Sequence, residues 1–393
     1  MPHPTRRRPR LLESPALALA SLAFASATTA TGADTAKLPV WRERMARITP
    51  HTYVARHTAN PPAIDGRLDD AAWAAAPWTA DFVDIEGDAK ARPRFRTRAK
   101  LLWDDTHLYI AAELEEPHLW AKLTQHDAVI FHDPDFEVFV DPEGDTHHYF
   151  EFELNALNTG WDLFLPKPYM DGGKARNDWE IPGLKSAVHL RGTLNDPRDT
   201  DTGWTLEIAF PWAAFVPPGG TPTTPRRAPE NEAVWRMNFS RVQWHVSTAS
   251  GGYEKLPGKP EDNWVWSPQG VIDMHRPEMW GRVLFTRKPA GEAAAVPRVF
   301  SPDDRLIALD FYYAQLDFHR THKRWAATFA ELNWTPPLTV TVGAPLFRLT
   351  PDGYDFAWVF HGGIREWAWW VRHDRLLRLQ RADGVKRDFG VPP

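Results

Sequence analysis

The chain predicts a mainly β fold, an antiparallel β-sandwich of jelly-roll kind followed by a small α+β C-terminal unit, and three features predict it. The stretch from Asp127 to Asn155, DAVIFHDPDFEVFVDPEGDTHHYFEFELN, holds two strictly alternating runs joined by the turn residues Asp141-Pro142-Glu143-Gly144-Asp145. Period-two alternation marks strands with unlike faces, so this stretch reads as a hairpin. Short runs of the same kind recur up to Thr286, separated by turn signals and without long helices between them, which is the pattern of a sandwich. The 20 tryptophans and 36 prolines among 393 residues suit a loop-rich all-β protein that presents aromatic surface.

Bulk composition narrows the function. With 43% hydrophobic residues a large core is attainable, and a net charge of -5 argues against a nucleic-acid groove or a polybasic membrane patch. Arg6-Arg7-Arg8-Pro9-Arg10, the apolar run Ala16 to Ala27 and the small residues through Ala33 read as a secretory signal peptide over 1–33, too short to span a bilayer. The chain has no cysteine, which removes a disulfide framework. The expected location is therefore periplasmic or secreted, with no transmembrane span once the signal is removed.

In chain order, 34–59 is a charged lead-in segment. Ile64-Asp65-Gly66 makes a turn, and Asp69 or Asp70 caps a short helix that turns Trp73 inward. Phe95 to Trp103 and Leu108 to Leu114 form a hairpin about Asp104-Asp105-Thr106-His107, with Arg98 set opposite Glu113 and Arg96 near Glu115 as ion pairs of about 0.2–1 kcal/mol each. The organising hairpin follows. On one face it places Phe136, Val138, Val140, Phe150, Phe152 and Leu154; on the other, taken to be solvated, it gathers Asp135, Glu137, Glu151 and Glu153. Those carboxylates repel one another unless spaced, solvated or given a partner such as a cation or a hydroxyl-rich ligand. Further strands are expected at Ser186 to Arg191, Gly203 to Phe210, Ala233 to Trp244 and Gly281 to Thr286.

Ile64-Asp65-Gly66 with Leu68-Asp69-Asp70-Ala71-Ala72-Trp73, Trp103-Asp104 with Leu108-Tyr109-Ile110, Asp133-Pro134-Asp135 with Phe136-Glu137-Val138-Phe139-Val140-Asp141-Pro142, Trp204-Thr205-Leu206-Glu207-Ile208-Ala209 with Pro211-Trp212, and Trp266-Ser267 with Trp280-Gly281 together resemble the family 9 carbohydrate-binding domain over roughly 60–288. The resemblance implies an antiparallel β-sandwich that binds sugars, in xylanase-attached members through two tryptophans clamping a terminal ring, with structural calcium nearby. Here the clamp positions fall near Phe131 or His132 and near Met274 or His275, where no tryptophan stands.

Residues 289–302 read as a proline- and alanine-rich linker, and 303–393 as the α+β unit: a helix from Asp303 to Asn333 ended by Pro336-Pro337, then strands at Thr339 to Val342, Phe347 to Leu349, Tyr354 to Phe360 and Trp367 to Arg372. This unit is expected to dock on the sandwich or on a protein partner.

Sugar recognition needs flat aromatic faces and planar polar groups, because a hydroxyl both donates and accepts. Phe131, Trp161, Trp264 and Trp266 are the stacking candidates of the expected site, with Trp264 and Trp266 two residues apart on one face of an extended segment. His132, Asp133, Asn155, Asn238 and His275 complete the expected ligand-binding set, and Asp133, Asp135 and Asp141 with nearby turn carbonyls are the expected calcium ligands. No residue is singled out as catalytic. A glycoside hydrolase working through a carboxyl pair such as Glu137 and Glu151, or an envelope protein that has lost sugar binding, remain open alternatives. There is no Gly-x-Ser-x-Gly or HExxH, and no histidine pair has zinc spacing.

Overall fold

Eighteen strands and five helices make up the described residues of the computed structural model, which are 40–218, 226–294, 302–337, 343–362 and 364–391. The strands are β1 (Thr52–His57), β2 (Val83–Asp84), β3 (Thr97–Trp103), β4 (His107–Glu115), β5 (Asp135–Asp141), β6 (Tyr149–Asn155), β7 (Gly160–Leu165), β8 (Lys185–Arg191), β9 (Gly203–Pro211), β10 (Val234–Gln243), β11 (Val246–Ser247), β12 (Glu254–Lys255), β13 (Asp262–Val265), β14 (Gly281–Thr286), β15 (Gly343–Thr350), β16 (Gly353–Gly362), β17 (Arg365–Arg372) and β18 (Leu377–Arg381). The helices are α1 (Val40–Glu43), α2 (Ala71–Ala75), α3 (Pro302–His322), α4 (Phe329–Leu332) and α5 (Ala382–Asp388). Among the described residues no helix is long and apolar enough to cross a membrane. The expected signal peptide, half of the linker and the strand Thr339 to Val342 lie outside the described residues.

The expected pair of antiparallel sheets is instead one large curled mixed sheet, in the order β7-β6-β5-β10-β14-β1-β3-β4-β9-β8. The two antiparallel halves meet at β1, which runs parallel to β14 through Thr52 to Arg56 and parallel to β3 through Arg56 and His57. Curling brings the inner faces together, so Phe136, Val138, Phe152 and Phe239 of one half pack in the same core as Leu101, Ile110, Leu206 and Ile208 of the other. The functional equivalent of a sandwich results without two free pairs of edges.

The motifs quoted from the sequence are structural ties. Glu207 on β9 accepts from Asp65 N and Gly66 N through Oε2, and from Trp73 Nε1 through Oε1 at 2.6 Å. The turn and α2 are thereby pinned to the sheet. Gly66 has φ 84°, and a Cβ there would lie 2.6 Å from the Val188 and His189 backbone, so only glycine fits. Arg98 does face Glu113 and bonds it at 2.7 Å; Arg96 does lie beside Glu115, its backbone N–H donating to Glu115 Oε2 at 3.2 Å, but its guanidinium leans toward Glu113.

At the C-terminus, β15 to β18 form a four-stranded antiparallel sheet against α3. The expected long helix ends at His322 because Lys323 turns left-handed (φ 58°) and the Gln315 side chain bonds both the N–H and the carbonyl of Ala326, drawing the chain back. Its aromatic core, with Phe311 stacked 4.1 Å from Phe356, continues into Trp41, Met45 and Met279. Arg375, wholly buried, pairs with Glu278 and Asp171, each at 3.0 Å, and Tyr313 and Tyr312 donate to the same two carboxylates. Leu377 N and Thr146 Oγ1 add bonds to Asp145 O and Arg375 O, seating this unit on the turn of the organising hairpin. Residues 38–393 accordingly cluster as one compact unit.

Candidate functional site

The second face of the organising hairpin is not solvated. Every residue of β5 and β6 is buried, because the segments 168–176 and 271–280 fold over that face and pack Phe139, Tyr149, Leu163 and Leu165 against Trp280. Asp135, Glu137, Glu151 and Glu153 are buried on the same face. Ladder register sets Glu137 opposite Glu153 on one side and opposite Ser240 on the other. Carboxylate oxygens of Asp135, Glu137 and Glu153 come within 4.8 Å of one another, and Asp135 Oδ2, Glu137 Oε2 and Glu151 Oε2 have no hydrogen-bond partner. Buried polar atoms are nearly always paired, so unpaired acceptors on three neighbouring carboxylates, two of them in the converging set, mark a place built for something else.

Electrostatics agree. Burial, before any neighbour, pushes Glu137 up to about 7. Burial, followed by the charge of Glu137, holds Asp135, Glu151 and Glu153 well above the usual carboxylate range. Burial thus favours the protonated carboxyl, which donates as well as accepts, where the ionised form accepts only.

Aromatic rings rim the floor. Phe131 and Trp161 lie with ring centroids 6.3 Å apart, both half-buried, and Phe131 N donates to Glu153 Oε2 at 3.0 Å. Trp161 faces Glu153 across the β6–β7 ladder and its Nε1 has no partner. Trp244 donates Nε1 to Phe131 O and carries the Lys255 ammonium 3.3 Å from its ring centroid. Tyr169, 45% exposed, stands edge-on to His275 at 4.4 Å, and burial first, then the charges of Glu151 and Glu153, raise its hydroxyl.

The structure thus gathers Phe131, His132 and Trp161 at one rim, with His275 nearby but half-buried, bonded to Tyr149 and held down to about 4 by burial. It corrects the others. Trp264 and Trp266, 3% and 1% exposed, lie in the core between the two halves and offer no face to a ligand. They do share one face, but it is the inner one. Asn238 is a backbone brace, donating to Ser267 O and accepting from Ser267 N and Phe239 N. Asp133 Oδ2 accepts from Lys122 N, Leu123 N and Asn155 Nδ2, so both residues hold the loop that carries Phe131.

Asp141 does not join Asp133 and Asp135 either. It sits at the far end of β5 and accepts from Gly144 N and Thr146 N inside the hairpin turn. A hard divalent cation fits the oxygen donors of Asp135, Glu137 and Glu153 instead. Tyr169 and Lys255 were not foreseen, since period-two patterning carries no signal for a loop that folds back over a sheet.

A hollow of about 300 Å³ on the other half is lined by Arg67, Trp78, Glu113 and Arg191. Of its charges, Glu113 is already engaged, accepting from Arg191 and from the neighbouring Arg98.

Residues 64–239 match the family described as carbohydrate family 9 binding domain-like. An endo-1,4-beta-xylanase A of Thermoanaerobacterium saccharolyticum is 27% identical over 160 residues, and an exoglucanase of Acetivibrio thermocellus is 26% identical over 161. Each match takes in 41% of this chain but only 12% of the relative's length. Two solved structures of a family 9 carbohydrate-binding module from Caldicellulosiruptor kristjanssonii, one in complex with cellotriose and one with glucose, align to 63% and 62% of this chain and to all of theirs. Their identities are 14% and 15%, with TM-scores of 0.38 and 0.39. The chain therefore carries, over residues 64–239, a carbohydrate-binding domain of the family 9-like kind.

Proposed function

We propose that this is an exported, periplasmic or secreted protein that captures a poly- or oligosaccharide at the aromatic rim over the acidic floor. The observation that supports the reading best is the set of unpartnered carboxylate oxygens on Asp135, Glu137 and Glu151 beneath the half-buried rings of Phe131 and Trp161. Ionised carboxyls accept from sugar hydroxyls, protonated ones donate, and ring faces cover the C–H side of a pyranose. The named enzymes among the relatives and the sugars in the solved modules favour β-linked glucans and xylans as the first ligands to try. Calcium, where it is bound, is held by Asp135, Glu137 and Glu153 and neutralises the floor. Affinity electrophoresis in gels containing soluble xylan, glucan or mannan, with calcium and with EDTA, tests this. Retardation in at least one gel, lost in Phe131→Ala, supports the reading; free migration in every gel overturns it.

One observation favours a second reading. Glu137, raised to about 7 beside other carboxyls, has the character of a glycosidase general acid. New reducing ends on incubation with the same oligosaccharides, abolished in Glu137→Gln, distinguish hydrolysis from capture.

A further inference from the structure

A second cluster lies at the start of edge strand β7 and does not depend on the sugar-binding reading. His126 Nδ1 is 2.9 Å from Gly160 O. A carbonyl only accepts, so Nδ1 carries the hydrogen and Nε2 of the neutral ring is a bare lone pair. Around that lone pair stand Glu180 Oε2 at 3.1 Å, Asp162 Oδ1 at 3.3 Å and Asp127 Oδ1 at 3.4 Å.

Asp162 is the independent pointer to a ligand. It is 2% exposed, and its Oδ2 accepts from Ile181 N at 2.6 Å, which fixes the carboxylate plane. Its Oδ1 makes no hydrogen bond and is aimed at His126. Asp127 Oδ1 is likewise without a hydrogen bond. Four ligands at bond lengths of about 2.0–2.2 Å in a tetrahedron stand roughly 3.3–3.6 Å apart. The separations from Nε2 fall at or just under that range, and the ligating atoms of His126, Asp162 and Glu180 lie within 4.8 Å of one another.

We propose that His126, Asp162 and Glu180, assisted by Asp127, form a binding site for a zinc-class divalent cation. An imidazole donor with few ligands suits zinc-like ions, whereas calcium takes six to eight oxygens, so this site and the all-oxygen floor select different metals. Gly160 and Ile181 supply the outer contacts that orient the ligands. The ion staples the loop before β5, the edge strand β7 and the segment carrying Glu180, in a chain that has no cysteine to do so.

Calorimetric titration of the full chain with zinc chloride alone tests the site. His126 is 52% exposed and Glu180 63%, so His126→Ala and Glu180→Gln are expected to fold, which their metal-free melting temperatures check. The expected result is one equivalent bound by the wild type, at least tenfold weaker affinity in both variants, and a zinc-induced rise in melting temperature that only the wild type shows. Asp162→Asn, which keeps an acceptor for Ile181 N, is expected to weaken zinc to a similar degree. No zinc uptake by the wild type, or uptake that His126→Ala leaves unchanged, overturns the proposal and reduces the cluster to ion pairs.

Discussion

Glu137 shows how a single side chain sets a pH dependence. Its folded-state value, about 7, lies above the ordinary 4.5, so the stability it permits is full below about 4.5 and is lost as pH rises through about 7. In EDTA the wild-type melting temperature is expected to fall across that window. Glu137→Gln is expected to flatten the fall and to melt at least about 2–4 °C higher at pH 8. A lower melting temperature for Glu137→Gln at pH 8 contradicts the account, because it would mean the charged carboxylate is compensated. Tryptophans separate by the same logic. Trp266→Ala, in the core, should cost about 3–5 kcal/mol in chemical denaturation, whereas Trp161→Ala, at the rim, should cost far less stability while weakening glycan retention.

At the scale of the element, Glu207 links the Ile64-Asp65-Gly66 turn and α2 to β9. Glu207→Ala leaves Asp65 N, Gly66 N and Trp73 Nε1 without their acceptor, and is expected to lower unfolding free energy by about 1–3 kcal/mol per donor that stays dry, read from the urea midpoint. The alternation of β5 and β6 made the hairpin and the sharing of its faces readable in sequence, but not its register, which sets Phe136 opposite Leu154 and Glu137 opposite Glu153 rather than Glu151. Alternation did not show that both faces would be covered. The covering segments, 168–176 and 271–280, are loops without periodicity, so nothing in the pattern tied Tyr169 or Trp280 to Glu151 or Phe139. Trp264 and Trp266 illustrate the converse, since shared facing was legible and the side it faced was not. His126 was weighed only with His132 and set aside for want of metal spacing, because two of its partners, Asp162 and Glu180, come from segments distant in sequence.

At the scale of the molecule, the C-terminal sheet and the curled sheet are joined through Arg375, and that buried contact is costly to break. Arg375→Ala leaves Glu278 without its closest cation, although Arg276 also bears on it, and is expected to destabilise by about 3–5 kcal/mol and to open cleavage sites near 289–294 in limited proteolysis. The two β halves and the α+β unit were legible from their motifs, but their joining through β1 and Arg375 was not, since neither parallel pairing nor a lone arginine announces its partner.

The claim that sugar meets the protein at the Phe131 and Trp161 rim is tested most directly by following the indole N–H resonances of the 20 tryptophans in a ¹H–¹⁵N spectrum during titration with the retained oligosaccharide. Saturable shifts at Trp161 and Trp244, with Trp264 and Trp266 unmoved, are the predicted result. Shifts confined to Trp78, beside the Arg67 and Glu113 hollow, or no shift with any glycan, would contradict it.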